Sequence, residues 1–154
     1  MRVHVAAFAT LLPLALTGTG SVLAAETGAA PAAPAATCSE ATLRGTYLFS
    51  VEGTTVAGKG KGPFAVGGSE VFDGHGNSRL VLTSSTNGKI SRFTRLTGKT
   101  TINADCTGTS TYSDGTTIDD FIAPDGSAFV IVQTNPGTVS AGFEQRVTAR
   151  RVGD

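Results

Sequence analysis

Turn-forming residues recur at short, regular intervals from residue 46 onward in this 154-residue chain. Glycine and asparagine tolerate the positive φ angles that tight hairpins need, so pairs such as Asn87-Gly88 and Asp114-Gly115 indicate hairpins. The intervening segments have strand length, and no window of twelve or more residues there shows sustained helical spacing. The nine predicted strands are 46–52, 62–72, 78–85, 89–97, 100–105, 107–113, 116–123, 127–134 and 138–150.

This spacing predicts an all-β domain. Eight or nine short strands joined mostly by tight hairpins favour an antiparallel up-and-down β-barrel of about eight strands, because closure removes exposed sheet edges. A β-sandwich is the alternative, although Greek-key sandwiches need some long connections between their sheets. Only residues 39–44 suit a single helical turn, with Ser39 as its cap and Gly45 at its end.

Alternation of apolar and polar residues predicts which face of each strand is buried. The last strand alternates most clearly, and its apolar set is predicted to face the core while its polar set faces water. The apolar set is Val139, Ala141, Phe143, Gln145, Val147 and Ala149, and the polar set is Ser140, Glu144, Arg146, Thr148 and Arg150. We therefore interpret Glu144 and Arg146 as a surface pair that adds little stability.

The N-terminal residues have the pattern of a secretory signal peptide. A weakly basic start is followed by an apolar run, 5–16, that is too short and too interrupted to cross a bilayer. Small residues then surround Ala24 and Ala25, so cleavage is predicted after one of them and residues 1–25 are assigned to the signal peptide. The alternative is a buried N-terminal helix.

Residues 26–37 are rich in alanine and proline and hold no large apolar side chain, so they are predicted to form a flexible linker. A single domain, 38–154, follows it and is long enough for one modest core. No second apolar segment approaches membrane-spanning length, so no membrane insertion is expected after signal cleavage. The predicted location is therefore extracellular.

Cys38 and Cys106 are the two cysteines of the chain. In an oxidising compartment an isolated pair is most simply interpreted as one disulfide bond. A catalytic or metal-binding thiol is the rival interpretation, but two distant cysteines and one histidine in the mature chain make a poor ligand set. We predict a bond that ties the N-terminal start of the domain to its middle.

The charge balance argues against nucleic-acid binding. The chain has 12 Lys and Arg residues and 12 Asp and Glu residues, for a formal net charge of zero. Such balance gives no long-range field to attract nucleic acid, and no run of basic residues with interleaved aromatics is present. No motif for a cofactor or metal ion appears either, so none is predicted.

Two neighbouring carboxylates are weak candidates for a catalytic role. Period-two alternation in 116–123 places either Asp119 or Asp120 on the same face as apolar residues, although the sequence does not say which. In 89–97, Arg92 shares a face with Leu96, and Arg95 shares one with Phe93. An inward Asp and an inward Arg would need to pair, because an isolated buried charge is too costly. Such a pair would be a structural bridge or the polar end of a ligand pocket.

His75 is the only histidine after the signal peptide, and it lies in the turn sequence Asp-Gly-His-Gly. A solvated turn residue is the simpler interpretation, and a ligand-binding or acid/base group at the barrel mouth is the alternative. With no second base available, no hydrolase triad is predicted.

Several segments together resemble a set found in small exported bacterial proteins of unassigned function. In architecture the chain resembles the allene oxide cyclase and dirigent type of eight-stranded barrel, which is calycin-like in outline. The resemblance implies the barrel fold, but it carries no cyclase residue onto a position here. The segments are 43–50, LRGTYLFS; 72–77, FDGHGN; 87–90, NGKI; and 103–109, NADCTGT.

Two functions are therefore expected from different classes. The first is a non-enzymatic barrel that binds a small apolar ligand or presents its rim to a partner. The alternative is a cyclase-like or isomerase-like enzyme in which the cavity enforces substrate conformation and an inward carboxylate assists. The absence of a recognisable catalytic motif favours the first.

Overall fold

The computed structural model describes residues 37–58 and 60–147, so the predicted signal peptide and most of the predicted linker lie outside the described residues. A short 3-10 helix, Glu40–Thr42, precedes eight strands. Each strand pairs antiparallel with the next along the chain, and β1 pairs also with β8, which closes the barrel. The strands are β1 Arg44–Thr55, β2 Gly62–Asp73, β3 Asn77–Thr86, β4 Lys89–Ile102, β5 Thr107–Tyr112, β6 Thr117–Ile122, β7 Ala128–Gln133 and β8 Thr138–Arg146.

The predicted all-β up-and-down barrel is confirmed, and the sandwich alternative is wrong because one closed sheet contains every strand. The sequence predicted nine strands because Gly98 was interpreted as a break between 89–97 and 100–105. Gly98 instead lies within β4 and faces the interior. A Cβ atom at this position would lie 2.8 Å from Cε1 of Tyr112 and would also clash with Oγ of Ser78. Glycine is therefore needed here because the side chains of Ser78 and Tyr112 lie so close to the backbone of β4, and it does not mark a turn.

The hairpin between β3 and β4 has the predicted form. Asn87 and Gly88 have φ angles of 49° and 77°, as a type I′ turn requires at both central positions. The backbone N–H of Asn87 also donates to the carbonyl of Pro63 at 3.0 Å, which ties the hairpin tip to β2.

A β-bulge changes the register of β4 close to this hairpin. Leu82 pairs with Thr94 and Ser84 pairs with Ser91, so two residues of β4 lie opposite one residue of β3. Phe93, one of these two, has a φ angle of 55° and is 74% exposed. The bulge adds one residue to the alternation of β4. The next side chain that faces inward after Thr94, toward the hairpin, is therefore that of Ser91.

The last strand faces the opposite way from the prediction. In β8 the polar residues Ser140 and Glu144 are buried, whereas Val139 and Phe143 are 65% and 48% exposed. Apolar residues on the outer faces of β6, β7 and β1 lie beside them, among them Phe121, Val130 and Leu48. The prediction assumed that the barrel interior is apolar throughout, and part of this interior is polar.

One end of the barrel is closed by a conventional core. Cys38 and Cys106 form the predicted disulfide bond, with 5.0 Å between their Cα atoms, and both are buried with Leu43 beneath the 3-10 helix. The rings of Tyr47, Phe72 and Phe129 pack edge to face, with centroids 5.3 to 5.9 Å apart.

Polar contacts seal the same end. The hydroxyl of Tyr47 donates to the carbonyl of Gly126 at 2.6 Å and accepts a hydrogen bond from Nε of Arg146 at 3.0 Å. Nη2 of Arg146 donates to the carbonyl of Thr42 at 2.8 Å. Arg146 is thus a partly buried side chain that links β8 to the helix, which corrects its interpretation as a surface residue. Among the described residues, no helix is long and apolar enough to cross a membrane.

Candidate functional site

The other half of the barrel interior is an open cavity of about 370 Å³. Its mouth lies between the hairpins that join β1 to β2, β3 to β4, β5 to β6 and β7 to β8. The walls come from inward-facing side chains of all four hairpins and are mainly apolar, and Tyr112 and Glu144 lie at the inner end. The apolar lining residues are Phe49, Val51, Phe64, Val66, Leu80, Leu82, Leu96, Ile118 and Ile131.

A layer of buried polar side chains separates this cavity from the closed end. It contains three carboxyl groups, none more than 1% exposed, together with tyrosine, serine and threonine hydroxyls. We call it the acidic layer. Its members are Glu70, Ser78, Thr100, Ser110, Tyr112, Asp120 and Glu144.

Glu70 enters the acidic layer from β2. It shares the inner face of that strand with Phe72, and it pairs with Tyr47 of β1 and Leu80 of β3. The hydroxyl of Tyr112 donates to the carboxyl group of Glu70, with 3.2 Å to Oε2. Burial, reinforced by the charge of Asp120, raises the pKa of Glu70 to about 7, although the hydrogen-bonding side chains of Ser78, Tyr112 and Glu144 oppose the shift. Burial also raises the pKa of Tyr112, so its hydroxyl keeps its proton.

Asp120 enters the layer from β6 and is held by a chain of hydroxyl groups. Oγ of Ser110 donates to Oδ2 of Asp120 at 2.7 Å, and Oγ1 of Thr100 lies 2.9 Å from Oγ of Ser110. Burial raises the pKa of Asp120 to about 6, because the Ser110 hydrogen bond offsets only part of the desolvation. Gly108 lies opposite on β5, where a Cβ atom would be 2.8 Å from the carbonyl oxygen of Thr101 but at an ordinary 3.5 Å from Cβ of Asp120, so glycine is needed there for the close approach of β4.

Glu144 is the carboxyl group that reaches the cavity. It projects inward from β8 between Phe49 of β1 and Phe129 of β7, is 1% exposed, and lines the inner end of the cavity. Its Oε2 atom has no hydrogen-bond partner among the described residues. Burial and the nearby carboxyl groups of Glu70 and Asp120 raise its pKa well above the usual value. A buried carboxyl group without a counter-charge stays protonated because ionisation there is costly.

The sequence contained a signal for one of these carboxyl groups and was misinterpreted for another. Glu70 has the same parity as Phe64, Val66 and Phe72, so strict alternation along the predicted strand 62–72 places it inward. Glu144 was assigned to the surface because its strand neighbours with the same parity are polar. In a closed barrel with a polar layer, hydropathy does not identify the inner face.

The two catalytic candidates lie on opposite sides of the barrel wall. Asp120 is inside, whereas Asp119 is exposed on the outer surface. Asp120 lies in the acidic layer and is not among the residues that line the cavity. The structure therefore brings Asp120 together with Glu70 and Glu144, which sequence analysis did not select.

None of the three ligand-binding candidates lines the cavity. Arg92 and Arg95 are exposed, so the predicted inward pair of Asp and Arg does not form. The bulge explains Arg92, since without it the period of two would have turned this side chain inward with Leu96. His75 is exposed in the turn between β2 and β3, at the closed end, and its backbone N–H donates to Oδ1 of Asp73 at 2.7 Å.

The acidic layer is not arranged as a metal centre. Within residues 37–58 and 60–147, no group of three or more His, Cys, Asp or Glu side chains is placed to hold a metal ion. What the layer offers chemically is a proton donor or acceptor, Glu144, at the end of an apolar cavity. The hydroxyl of Tyr112 lies beside it.

A second hollow, of about 860 Å³, lies on the outer surface across β2 to β5. Most of its lining side chains are exposed and polar or charged, among them Asp73, Arg79 and Lys99. Sites for small ligands enclose most of the ligand surface, and a cavity inside the barrel does this better than a hollow on its outer face, which favours the interior cavity as the functional site.

Comparison with known protein families, with curated proteins and with solved structures found no match to this chain. The resemblance to the allene oxide cyclase and dirigent type of barrel therefore stays a prediction, and the function is argued from the site alone.

Proposed function

We propose that this domain is an exported binding protein that holds a small, mainly apolar molecule in the open half of its barrel. The observation that carries the proposal is the cavity of about 370 Å³, whose walls combine aliphatic and phenylalanine side chains with serine and threonine side chains. An eight-stranded barrel is just wide enough to be filled by its own side chains or to hold one small ligand. Here the side chains fill only the closed half.

The energetics support a ligand of modest size. A molecule that transfers about 300 Å² of apolar surface from water to these walls gains roughly 7 kcal/mol before the costs of association. Those costs are at least about 4 kcal/mol, so apolar contact alone supports an affinity no tighter than about millimolar, and tighter binding needs polar contacts as well. The volume lies at the lower end of the range for ligand pockets, about 300 to 1,000 Å³.

Export is the second part of the proposal. The signal-peptide pattern in residues 1–25 supports it, and the disulfide bond between Cys38 and Cys106 suits an oxidising compartment. N-terminal sequencing of the protein from culture medium is expected to begin at Ala25 or Glu26. Secreted protein that still begins at Met1 would contradict the assignment.

A fluorescent probe and a pair of tryptophan variants test the cavity. N-phenyl-1-naphthylamine, an apolar dye that brightens in apolar surroundings, is expected to bind the purified domain. Val66→Trp places a large side chain in the cavity and should weaken dye binding at least tenfold. Ala65→Trp is the matched control, because residue 65 is exposed on the outer face of the same strand. Equal binding by both variants would place the dye outside the barrel and overturn the proposal.

A cyclase-like or isomerase-like enzyme is the second candidate, and Glu144 is the observation that favours it. A protonated carboxyl group at the end of an apolar cavity is able to act as a general acid on a substrate held in one conformation. Its role would be to donate a proton to the substrate and to take one back as the product forms.

Recovery of the captured ligand separates the two candidates. If the domain only binds, a ligand extracted after prolonged incubation has the structure it had at the start. If the domain is an enzyme, an isomer accumulates, and Glu144→Gln should stop its formation while the dye still binds. Turnover that survives Glu144→Gln would exclude Glu144 as the acid.

A further inference from the structure

The charged groups that line the cavity are all acidic. Asp114 lies at the mouth and Glu144 at the inner end, and among residues 37–58 and 60–147 no Lys, Arg or His side chain lines the space between them. Arg146, the partly buried cation of β8, is directed toward Tyr47 and Thr42 at the closed end. An anionic ligand such as a fatty acid would therefore meet only negative or neutral groups.

Glu144 and Tyr112, at the inner end of the cavity, both carry oxygen atoms that accept hydrogen bonds. Oε2 of Glu144 is buried and has no partner within the described part of the chain. The hydroxyl of Tyr112 gives its proton to Glu70, so its oxygen lone pairs remain available to accept. Buried polar atoms are normally hydrogen-bonded, and Glu144 is the carboxyl group of the acidic layer that also lines the cavity, so a ligand donor is able to reach it.

We propose that the cavity selects a small apolar molecule that carries a primary amine, with the ammonium group at the inner end against the carboxyl group of Glu144 and the hydroxyl oxygen of Tyr112. This inference rests on the proposed binding function and names the class of its ligand. The apolar body of the amine lies against the aliphatic walls. The ammonium group supplies the positive charge that the acidic layer lacks.

Binding of an amine is coupled to proton release. Glu144 is faced by Tyr47 of β1, Glu70 of β2, Tyr112 of β5 and Asp120 of β6, and burial among these groups raises its pKa. An ammonium ion favours the ionised carboxylate, so the proton of Glu144 leaves to solvent as the ion pair forms. Between pH 6 and pH 8 the affinity for an amine should rise, because less work is then needed to remove this proton.

Isothermal titration calorimetry with three ligands of equal chain length tests the inference. At pH 7, n-octylamine is expected to bind at least tenfold more tightly than octan-1-ol, and octanoate to show no binding. Titrations in two buffers that differ in ionisation enthalpy should show about one proton released for each amine bound. Octan-1-ol is expected to bind without releasing a proton and serves as the internal reference.

Variants assign the effect to the inner end of the cavity. Glu144→Gln should reduce the amine to the affinity of the alcohol and abolish proton release, and Tyr112→Phe should weaken the amine by a smaller factor. Glu52→Gln, on the exposed face of β1, is the matched control and should change neither. Retained binding of N-phenyl-1-naphthylamine shows that each variant is folded.

The outcomes separate this inference from the proposed function. If the alcohol and the amine bind equally and Val66→Trp weakens both, the cavity binds ligands but the amine inference is overturned. The same conclusion follows if Glu144→Gln leaves the preference for the amine unchanged. If neither these ligands nor the dye binds, both proposals fail.

Discussion

Three carboxyl groups lie inside this barrel, and among the described residues no buried cation lies beside them. Glu70 and Asp120 accept hydrogen bonds from hydroxyl donors, whereas Glu144 is the one that lines the cavity. Oδ1 of Asp120 and Oε2 of Glu144 have no hydrogen-bond partner among the described residues. Ionising any of them in place is unfavourable, so the folded state favours their protonated forms. The domain therefore binds more protons when folded than when unfolded near neutral pH.

The first prediction concerns stability against pH. The pKa of Glu70 is about 7 and that of Asp120 about 6 in the folded protein, above their usual values of 4.5 and 3.8. Their contribution is complete at a pH below the usual values and is lost as pH rises through the folded values. Between pH 5 and pH 8 the free energy of unfolding should fall by on the order of 3 kcal/mol. Urea denaturation at a series of pH values measures it.

Other carboxylates limit stability on the acid side. Hydrogen bonds from Asn77 and His75 lower the pKa of Asp73 to about 2, and contacts in their turns lower the pKa of Asp105 and Asp125. Their contribution is present above the unfolded value and is lost as pH falls, so stability should be greatest between about pH 4 and pH 5.

A single substitution tests the origin of this profile. Glu70→Gln keeps the shape of the side chain and the Tyr112 contact but cannot ionise, so the variant should lose much of the pH dependence and be more stable than the wild type at pH 8. Glu52→Gln, at an exposed site, should follow the wild type. A wild-type stability that rises from pH 5 to pH 8 would contradict the assignment of buried, protonated carboxyl groups.

At the scale of single residues, the sequence predicted the disulfide bond but not the acidic layer. The disulfide partners followed from cysteine number alone, and one of two adjacent aspartates was correctly expected to face inward. The predicted pair of Asp and Arg does not form because a bulge at Arg92 and Phe93 changes which side chains of β4 face inward. No local sequence pattern predicts this bulge. Neither Arg95 nor His75 reaches the interior.

Among the strands, β4 shows how inward glycines shape the interior. Gly98 pairs with Ser78 on one side and Tyr112 on the other, and the tyrosine ring packs over its Cα atom. This close approach positions the hydroxyl of Tyr112 for its contact with Glu70. The glycine thus supports the acidic layer from the neighbouring strand.

The second prediction uses two glycines in strands. Gly98→Ala should destabilise the domain by about 1–3 kcal/mol, because the added methyl group would displace the Tyr112 ring or distort β4. Gly67→Ala is the control, since the nearest neighbour of the added methyl group would be the Phe49 carbonyl at an ordinary 3.6 Å, and it should change stability by less than about 0.5 kcal/mol. Thermal denaturation of both variants decides the matter. Equal effects would show that the interior at Gly98 is not tightly packed.

Strands and hairpins were largely predictable because turn chemistry is local. The Asn87-Gly88 hairpin and the single 3-10 turn after Ser39 follow from backbone preferences of a few residues. Strand orientation was less predictable. The inner face of β8 depends on contacts with β1 and β7, which are distant in sequence, so its alternation was assigned to the wrong side.

For the molecule as a whole, the barrel is divided into a filled half and an open half. The disulfide bond, the 3-10 helix and the aromatic cluster of Tyr47, Phe72 and Phe129 occupy the filled half. Protein interiors are normally filled by side chains. Because the closed end is stable, the other half of this barrel does not have to be filled. Length and turn spacing predicted the barrel, but the division depends on side-chain volumes across eight strands and was not predictable.

The third prediction is that the disulfide bond carries much of the stability of the closed end. It closes a loop with a sequence separation of 68 residues, for which chain entropy allows roughly 4 kcal/mol. Replacing Cys38 and Cys106 by Ser should lower the melting temperature by roughly 10–20 °C. Dithiothreitol should produce a similar loss in the wild type and none in the double variant. An unchanged melting temperature would show that the rest of the closed end is sufficient.

The central claim is that ligands enter the open half of the barrel and rest on the acidic layer. Methyl NMR spectra recorded during titration with n-octylamine test it most directly. Shifts are expected only on lining methyl groups such as those of Val66, Leu82 and Ile131, while the outward methyl groups of Val130 and Val139 stay unchanged. Shifts on the outward groups alone, or none at saturating amine, would contradict it.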